Sequence, residues 1–589
     1  MKKEKIKMEK EMFNTILNKP NIKQILVLLF ASVFICLPLL SSQIDISYDD
    51  GIQHIARLIG TDASIKEGQT EVMSDFCNGF GYSWNLFYSP LTAFTPLIFR
   101  IFNCSYVDCI KLFMFVVTFL SGLTMYFFVN EVTKNKKMAL IAGIVYMFSP
   151  YRYTDMYIRN ALAELTSFIF IPMVFQGLYG VLKQKPKKEI LLIIASILLV
   201  LTHTIITIYV AIICFIYLIS QARKLKIKNV RIKLIYSVII ILVITSFFWM
   251  PLLQVKNSAE YEVFKPGRME RQDVLIALKL DLENLFFTKK TSNMIYEIGL
   301  FNIVALIGTP FVIKKIKNKY KGTDFYNFYI FAIIGAIILL IMTLKVFPFE
   351  KLPETLRMLQ FTFRLLEFTS FFIAFIVAVN VGKLIKNIKS NHVIAVLIIN
   401  MILSLFFINH LYYTNNLNEE WLIPAVPVTE KTGRVHAGCA SFEYLPTKAF
   451  ENRSYIETRS NDVIVINGEA QITNTEKEKS KMSFNIDVNE EAELELPYIY
   501  YPGYTATVKE TNTKLETFET DKGFVGIKVT KLSNTEIKVE YTGTTIMIIS
   551  KVISILGICV LIIYIIKNKE IIEFISKKCN IIEKNIKKS

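Results

Sequence analysis

The sequence predicts an α-helical polytopic membrane protein of about 12 spans, with a smaller extracytoplasmic β-sandwich-like domain before the last span. Three observations lead to this prediction. Hydrophobic residues make up 53% of the 589 residues and charged residues 20%, whereas soluble domains carry about 25% charge. The apolar residues form long stretches separated by short basic segments. One region near the carboxyl end alternates apolar and polar residues, as strands do.

The predicted spans follow from length, since a helix needs roughly 20 apolar residues to cross a bilayer. The first, about 22–41, follows a lysine-rich start. We read it as an uncleaved helix because Ser41-Ser42-Gln43 is a poor signal-peptidase site. We read the region 190–220 as two short helices, because its 31 residues are too many for one helix between basic flanks. The remaining spans are predicted near 110–130, 138–150, 165–182, 234–251, 298–313, 325–344, 365–382, 392–410 and 545–566.

The basic segments predict the orientation, because Lys and Arg accumulate in cytoplasmic loops. Seven segments stand out: 1–23, 131–137, 183–189, 221–233, 314–321, 383–389 and 567–589. They hold 35 Lys and Arg against 8 Asp and Glu, whereas the rest of the chain holds 32 against 42. The net charge of +17 therefore reflects topology, and we expect no nucleic-acid partner. The prediction is a multi-pass protein of the cell membrane with both termini in the cytoplasm.

The opposite face receives the longest polar segments. The predicted organisation is a transmembrane domain over 1–410 with a first outer loop at 42–109, a β domain over 411–544, a last span over 545–566 and a basic tail over 567–589. Strand-like runs at 462–466, 482–488 and 536–541, separated by Asn, Gly and Pro turns, predict an antiparallel sandwich.

Several classes of site lack support. Cys77 and Cys104 would lie outside, where either a disulfide between them or two free thiols is consistent with the sequence. No CxxC pair, zinc spacing, Walker loop or GxGxxG motif occurs. We therefore expect neither a structural metal nor a nucleotide cofactor.

The first outer loop carries the residues best suited to catalysis. Asp50, His54 and Arg57 have the spacing of one helix face, and Asp49 precedes them. Two adjacent carboxylates can bind a divalent cation or accept the proton of an attacking hydroxyl. The alternative is an interfacial helix with an Asp cap and a solvated polar face.

Aromatic residues follow in the same loop. Tyr82 and Tyr88 belong to the stretch 78–91, whose rings either stack on a sugar or form the aromatic belt at the membrane surface. Two explanations also remain for the second outer segment, which contains Arg152, Arg159 and Glu164. The arginines can bind a phosphate through two hydrogen bonds, or Arg159 and Glu164 can form a structural ion pair.

Two further charged residues are predicted on this face. His203 lies at the turn of the helical hairpin, where it is either a satisfied core residue or a catalyst. Arg364 begins a span, so it either extends to the headgroups or contacts a lipid phosphate. All of these residues fall on the non-cytoplasmic side, although the basic loops that define it were chosen without reference to them.

These residues resemble a known family. The pattern Asp50-x-x-x-His54-x-x-Arg57, the stretch 81–91, Pro150-Tyr151-Arg152 with Arg159 and Glu164, and the segment 360–364 are similar to bacterial membrane proteins with a 6-pyruvoyl-tetrahydropterin synthase-related domain, the YfhO-like group. Glu443-Tyr444-Leu445-Pro446 and Tyr500-Tyr501-Pro502-Gly503-Tyr504 resemble it as well. No pterin activity is implied, because the histidine zinc site of the soluble synthase is not visible in the sequence.

The resemblance implies a GT-C-like fold, that of membrane glycosyltransferases that use a polyprenyl-phosphate-linked sugar on the outer face. It makes Asp49 or Asp50 the base or the ligand of a divalent cation such as Mg²⁺ or Mn²⁺, and Arg159 or Arg364 a contact to the carrier phosphate. The chain departs from the family pattern at Ser83 and at Thr362-Phe363, where Pro and Pro-Trp are expected. These departures bear on substrate fit more than on the class of protein.

The functional hypothesis is a membrane glycosyltransferase that transfers a sugar from a polyprenyl-phosphate donor to a cell-envelope polymer. The alternatives are a transporter or flippase for lipid-linked saccharides and a non-catalytic accessory protein. The absence of related halves in the sequence counts against a transporter. The predicted catalytic residues are Asp49, Asp50 and His54. The predicted substrate or phosphate contacts are Arg57, Tyr82, Tyr88, Arg152, Arg159, Glu164, His203 and Arg364.

Overall fold

The computed structural model describes residues 21–41, 50–265, 267, 272–289, 294–417 and 442–586, with side chains described up to residues 411 and 567 in the two helices that extend beyond them. The first half of the chain is helical. Its helices are α1 Ile22–Cys36, α2 Asp50–Lys66, α3 Leu91–Phe94, α4 Tyr106–Thr133, α5 Lys136–Met147, α6 Pro150–Tyr153, α7 Leu162–Leu182, α8 Lys188–Val200, α9 Thr204–Ser220, α10 Ala222–Leu225, α11 Lys228–Ile244 and α12 Ser246–Ser258.

Helices continue to residue 417 and return at the carboxyl end. They are α13 Gln272–Ala277, α14 Leu300–Ile307, α15 Thr309–Tyr320, α16 Asp324–Thr343, α17 Glu354–Arg357, α18 Leu365–Leu384, α19 Ser390–Leu417, α20 Thr447–Glu451, α21 Arg453–Thr458 and α22 Thr545–Ile586. Short 3₁₀ turns occur at Leu37–Leu40, Thr95–Phe102, Glu262–Phe264, Leu282–Leu285, Phe349–Lys351 and Thr362–Arg364.

Seven helical segments in the described part of the chain are long and apolar enough to cross a membrane. They are Ile22–Leu40, Tyr106–Thr133, Leu162–Leu182, Asp324–Thr343, Thr362–Leu384, Ser390–Leu411 and Thr545–Lys567. An eighth forms if α11 and α12, bent by 63°, make one span. The count of about 12 spans is not confirmed. Four of the predicted spans, near 138–150, 190–203, 204–220 and 298–313, coincide with helices too short to meet the same length criterion.

The central helices approach closely where small residues face each other. Gly122 of α4 and Gly143 of α5 meet so tightly that a Cβ on Gly143 would lie 2.8 Å from the carbonyl oxygen of Gly122. Small residues at such crossings allow helix backbones to pack without large side chains between them. Helix α4 also packs on α7, and α18 packs on α5 and α16. This arrangement buries α7, which carries Glu164, and α18, which begins directly after Arg364.

The carboxyl-terminal domain is antiparallel, as the sequence predicted, but it forms one five-stranded sheet instead of the predicted two-sheet sandwich. The strands β1 Ile464–Glu478, β2 Lys481–Ile499, β3 Tyr504–Val508, β4 Lys514–Glu519 and β5 Phe524–Tyr541 form one sheet in the order β1-β2-β5-β3-β4. The two long central strands, β2 and β5, change register between Ile486 and Glu491. Such irregularities bend strands, so one half of β5 pairs with β3 and the other with β4.

The first outer loop is packed against this sheet. Phe87 stacks on Tyr444 with ring centroids 5.1 Å apart and meets Tyr261 at 5.0 Å. Trp84 and Tyr82 lie in the same buried cluster, and the Tyr82 hydroxyl accepts a hydrogen bond from the backbone N–H of Tyr444. We call these five residues the aromatic cluster. It joins residues far apart in sequence into one core and fixes the loop that follows α2.

The aromatic cluster predicts that two Phe→Ala substitutions differ strongly in their effect on the free energy of unfolding. Phe87→Ala removes a buried ring, so we expect the free energy of unfolding to fall by about 3–5 kcal/mol. Phe102→Ala, whose side chain is 73% exposed, should change it by no more than about 0.5 kcal/mol. Denaturant unfolding in detergent micelles measures both. Equal losses for the two variants would show that the loop does not depend on the cluster.

Candidate functional site

An irregular turn places Arg159 beside the start of α2. Helix α6 runs into a π-helical turn at Thr154–Ile158, which closes when the N–H of Arg159 donates to the carbonyl of Thr154 at 2.8 Å. The carbonyl of Arg159 then accepts a hydrogen bond from the N–H of Asp50 at 3.1 Å. Single π turns are frequent at functional sites. The first residue of α2 is thereby held against the second outer segment.

Glu164 lies between two buried arginines. Its Oε2 is 2.8 Å from Nη1 of Arg159, and its Oε1 is 2.7 Å from Nε of Arg364. The Tyr151 hydroxyl donates to Oε2 at 3.0 Å, and Asp155 binds Nη1 of Arg159 at 3.1 Å. We call Asp50, Tyr151, Asp155, Arg159, Glu164 and Arg364 the ionic cluster. Buried charges are tolerated only when they are paired in this way.

Asp50 forms the open edge of the ionic cluster. Its side chain is 39% exposed, and its Oδ2 is 3.8 Å from Nη2 of Arg159, which is buried. Beneath it, the guanidinium of Arg364 lies 4.8 Å from the ring centroid of Phe361. Arg159 lies 5.5 Å from the same ring and 5.4 Å from Phe363. One carboxylate therefore faces outward above two cations that rest on aromatic rings.

Arg57 fixes the loop 85–89, which we call the wall of the site. Its guanidinium donates to the side chain of Asn85 at 3.0 and 3.1 Å and to the carbonyls of Tyr88 and Ser89 at 3.1 Å. It also lies 4.8 Å from the ring centroid of Tyr88. Burial raises the pKa of the Tyr88 phenol, as does the charge of Asp50, while Arg57 and Arg364 lower it. Tyr88 thus stands between Arg57 and the ionic cluster.

His203 adjoins the same wall. It is the N-cap of α9, and its Nδ1 accepts a hydrogen bond from the N–H of Ile206 at 3.5 Å. Its ring lies 6.3 Å from that of Tyr88, and the charges of Arg364, Glu164 and Arg159 act on it. Of the two interpretations left open by the sequence, the geometry supports a buried residue that caps a helix.

The structure brings most of the predicted site residues together. Asp50, Arg159, Glu164 and Arg364 share one network, in which the predicted Arg159–Glu164 pair is present. His54, Tyr88 and His203 lie beside it. Arg364 does not extend toward the headgroups, because its donors bind Glu164 and the side chain of Gln360, the latter at 2.7 Å. Asp49 lies outside the described residues.

Three of the predicted substrate contacts are buried inside the protein. Tyr82 is fully buried in the aromatic cluster, so it neither stacks on a sugar nor belongs to a membrane belt. Arg57 is buried, and its Nε and Nη2 donate to the loop 85–89. Arg152 is buried against Thr118 and the ring of Phe168. Each is enclosed by segments distant in sequence, and residue spacing does not reveal such contacts.

Three other residues at or beside the site were not predicted as site residues from the sequence. Tyr151 and Asp155 were visible as part of the polar run 150–164, yet only their contacts show that they bind Arg159 and Glu164. Glu367 lies one turn beyond Arg364 and is fully buried. A carboxyl inside an apolar span is itself a signal of function, and it could have been recognised from the sequence.

The pair Asp49 and Asp50, predicted as ligands of a divalent cation, is described only at Asp50. The described residues contain no group of three or more His, Cys, Asp or Glu arranged to hold a metal ion. The nearest charged partner of Asp50 is a guanidinium, whose positive charge opposes a second cation at the same carboxylate. No disulfide joins Cys77 and Cys104.

An apolar cleft of about 560 Å³ is bordered by Pro150, the first residue of α6. Its walls include Phe286, Phe287, Leu403, Phe406 and Phe407, and Glu297 and Asn302 line its polar end. The same two residues line a smaller cavity that reaches Tyr151. Tyr151 of the ionic cluster thus lines a cavity that shares Glu297 and Asn302 with the cleft.

Comparison with known proteins assigns the family. The family described as 6-pyruvoyl-tetrahydropterin synthase related domain, a membrane protein, matches residues 86–414. The chain belongs to this family. The resemblance seen in the sequence is thereby confirmed, and the match includes Arg159, Glu164 and Arg364, while Asp50 precedes it.

More distant similarities extend over parts of other proteins. An uncharacterized protein of Lactococcus lactis subsp. cremoris is 25% identical over 256 residues, which is 42% of each chain. The crystal structure of the Archaeoglobus fulgidus oligosaccharyltransferase in the apo form aligns with 12% identity and a TM-score of 0.38, over 76% of this chain and 59% of that one. The chain therefore spans less than two thirds of either. An alignment at this TM-score does not establish a shared fold, so the GT-C-like fold stays a prediction.

The ionic cluster predicts a strong effect of Glu164→Gln. The amide cannot neutralise the two buried guanidinium groups, so we expect a loss of about 3–5 kcal/mol in the free energy of unfolding. Glu491→Gln, the same change at an exposed strand position, should cost no more than about 0.5 kcal/mol. Thermal unfolding in detergent compares them. A Glu164→Gln variant as stable as the control would contradict the pairing.

His54 predicts a pH dependence of stability. Burial lowers its pKa from 6.5 to about 4; Asp50 opposes the shift and Arg57 adds to it. The unfolded chain therefore binds a proton between pH 6.5 and 4 that the folded chain does not. Stability should fall across this window as the pH falls, and His54→Gln should reduce the fall. Melting temperatures at matched pH values test this, and parallel curves for the two proteins would refute it.

Proposed function

We propose that the chain is a membrane glycosyltransferase that moves a sugar from a polyprenyl-phosphate donor to a hydroxyl of a cell-envelope polymer on the outer face. One observation carries the proposal: an exposed carboxylate, Asp50, stands at 3.8 Å from Arg159, which shares Glu164 with Arg364. The site thus presents a proton acceptor beside two cations.

The chemistry requires both kinds of group. Asp50 accepts the proton of the acceptor hydroxyl as its oxygen forms a bond to the anomeric carbon of the sugar. The bond from that carbon to the phosphate oxygen breaks, and its electron pair remains on the phosphate. Arg159 and Arg364 stabilise the developing negative charge, and their burial strengthens this effect.

Arg159 has the geometry for this role. Its Nη1 is occupied by Glu164, Asp155 and Tyr151, whereas Nη2 faces Asp50 at 3.8 Å, beyond hydrogen-bond distance. Among the described residues, Nη2 therefore remains available to an incoming anionic oxygen. Glu164 holds the rest of the guanidinium in place, so binding does not require the side chain to reorganise.

The donor already contains the energy for transfer, so we expect no nucleotide cofactor. We assign no step to a divalent cation, since Asp50 already faces a guanidinium. The apolar chain of the donor would lie in the cleft lined by Phe286, Leu403 and Phe406. The sheet would help to present the acceptor, because the aromatic cluster attaches it to the loop that carries Tyr88.

Replacement of the carboxylates tests the proposal. Asp50→Asn keeps the size of the side chain but removes the proton acceptor, so we expect sugar transfer to fall roughly 10²–10⁴-fold. Asp75→Asn, at an exposed position of the same loop, is the matched control and should retain transfer. The measurement is envelope sugar content, together with the amount of membrane-inserted protein.

The same assay distinguishes the remaining functions. Asp49→Asn and the double variant are measured in parallel, because either carboxylate was predicted as the base. Full transfer by both single variants and by the double variant, at normal protein levels, would exclude a catalytic carboxylate. A transporter or an accessory protein would then be the better explanation.

A further inference from the structure

Glu367 and Ser167 form a second polar contact between α7 and α18. Ser167 follows Glu164 by three residues, and Glu367 follows Arg364 by three, so each pair shares a helix face. The hydroxyl of Ser167 is hydrogen-bonded to Oε1 of Glu367. The two helices are therefore joined twice, first by the Glu164–Arg364 ion pair and then by Ser167 and Glu367.

The number of hydrogens available to Ser167 and Glu367 indicates which of the two side chains donates the hydrogen bond. The Ser167 hydroxyl lies 2.5 Å from the backbone carbonyl of Glu164 and also within hydrogen-bond distance of Glu367. A hydroxyl has one hydrogen to donate, and a carbonyl oxygen has none. If Ser167 donates to the carbonyl of Glu164, the hydrogen of its contact with Glu367 must come from Glu367.

The surroundings of Glu367 are consistent with a carboxyl group that donates a hydrogen. Its side chain is fully buried, and among the described residues its Oε2 has no hydrogen-bond partner. No described Lys or Arg forms an ion pair with it. Glu164, one turn away, differs in that both of its oxygens bind an arginine. An ionised carboxylate with an unpartnered oxygen is costly in an apolar interior, whereas a neutral acid is not.

We propose that Glu367 is a positioning residue whose carboxyl carries a proton and donates it to Ser167, which in turn donates to the backbone of Glu164. This chain of two hydrogen bonds fixes the first turn of α7, where Glu164 holds Arg159 and Arg364. We infer it independently of sugar transfer, since it concerns only the protons of this helix pair. It would hold for a transporter with the same cluster.

Infrared spectroscopy of the purified full chain in detergent tests the proton directly. The difference spectrum between the wild-type protein and Glu367→Gln at neutral pH should contain the C=O band of a protonated carboxyl group. Glu354→Gln, the same change at an exposed position, should remove only carboxylate bands. Loss of carboxylate bands alone in Glu367→Gln would show that Glu367 is ionised and would overturn the proposal.

Ser167→Ala tests the direction of the hydrogen bond. With the acceptor gone, the carboxyl band should move to higher frequency while the acid remains protonated. Ser533→Ala, at an exposed site, should leave the band unchanged. A band at the same frequency in Ser167→Ala would show that Glu367 does not donate to Ser167. Glu367→Gln should also retain the wild-type melting temperature, since its amide can donate the same hydrogen bond; a large fall would contradict a neutral donor at this position.

Discussion

The carboxylate of Glu164 is the interaction on which the site depends. It forms ion pairs with two buried guanidinium groups that come from different parts of the chain, at 2.8 and 2.7 Å. Without it, Arg159 and Arg364 would lie as like charges in an apolar interior, where repulsion is weakly screened. The remaining features follow from this contact: the π turn that supplies Arg159, the 3₁₀ turn that supplies Arg364, and the start of α2 at Asp50.

The ionic cluster also explains why the exposure of Asp50 differs from that of the other carboxyl groups. Glu164 and Asp155 are buried and occupied by Arg159. Glu367 is buried, and we infer that it is protonated. Only Asp50, of the four, reaches the surface. A proton acceptor must be accessible to its substrate, and among these four carboxyl groups only Asp50 meets this requirement.

The carboxyl-terminal sheet belongs to the same structural unit as the first outer loop. Tyr444, just before the sheet, packs on Phe87 and Trp84, and Arg57 binds the backbone of the same loop at Tyr88 and Ser89. The wall of the site therefore depends on two contacts distant from the ionic cluster. A substitution in the sheet can alter the site although no strand residue belongs to the ionic cluster.

The sequence by itself determined the membrane character and the presence of long apolar helices and antiparallel strands, because these depend on local apolar length and periodicity. Its motifs, by their resemblance, indicated the family. It also indicated Asp50, Arg159, Glu164 and Arg364, since charges beside apolar spans are uncommon. Only the tertiary structure decided that Tyr82 is buried in the aromatic cluster, that Arg57 binds the loop 85–89, that Arg152 lies against Phe168 and that the strands form one sheet. The reason is physical: a residue's exposure and ion partners depend on segments up to several hundred residues away, and chain spacing carries no information about these long-range contacts.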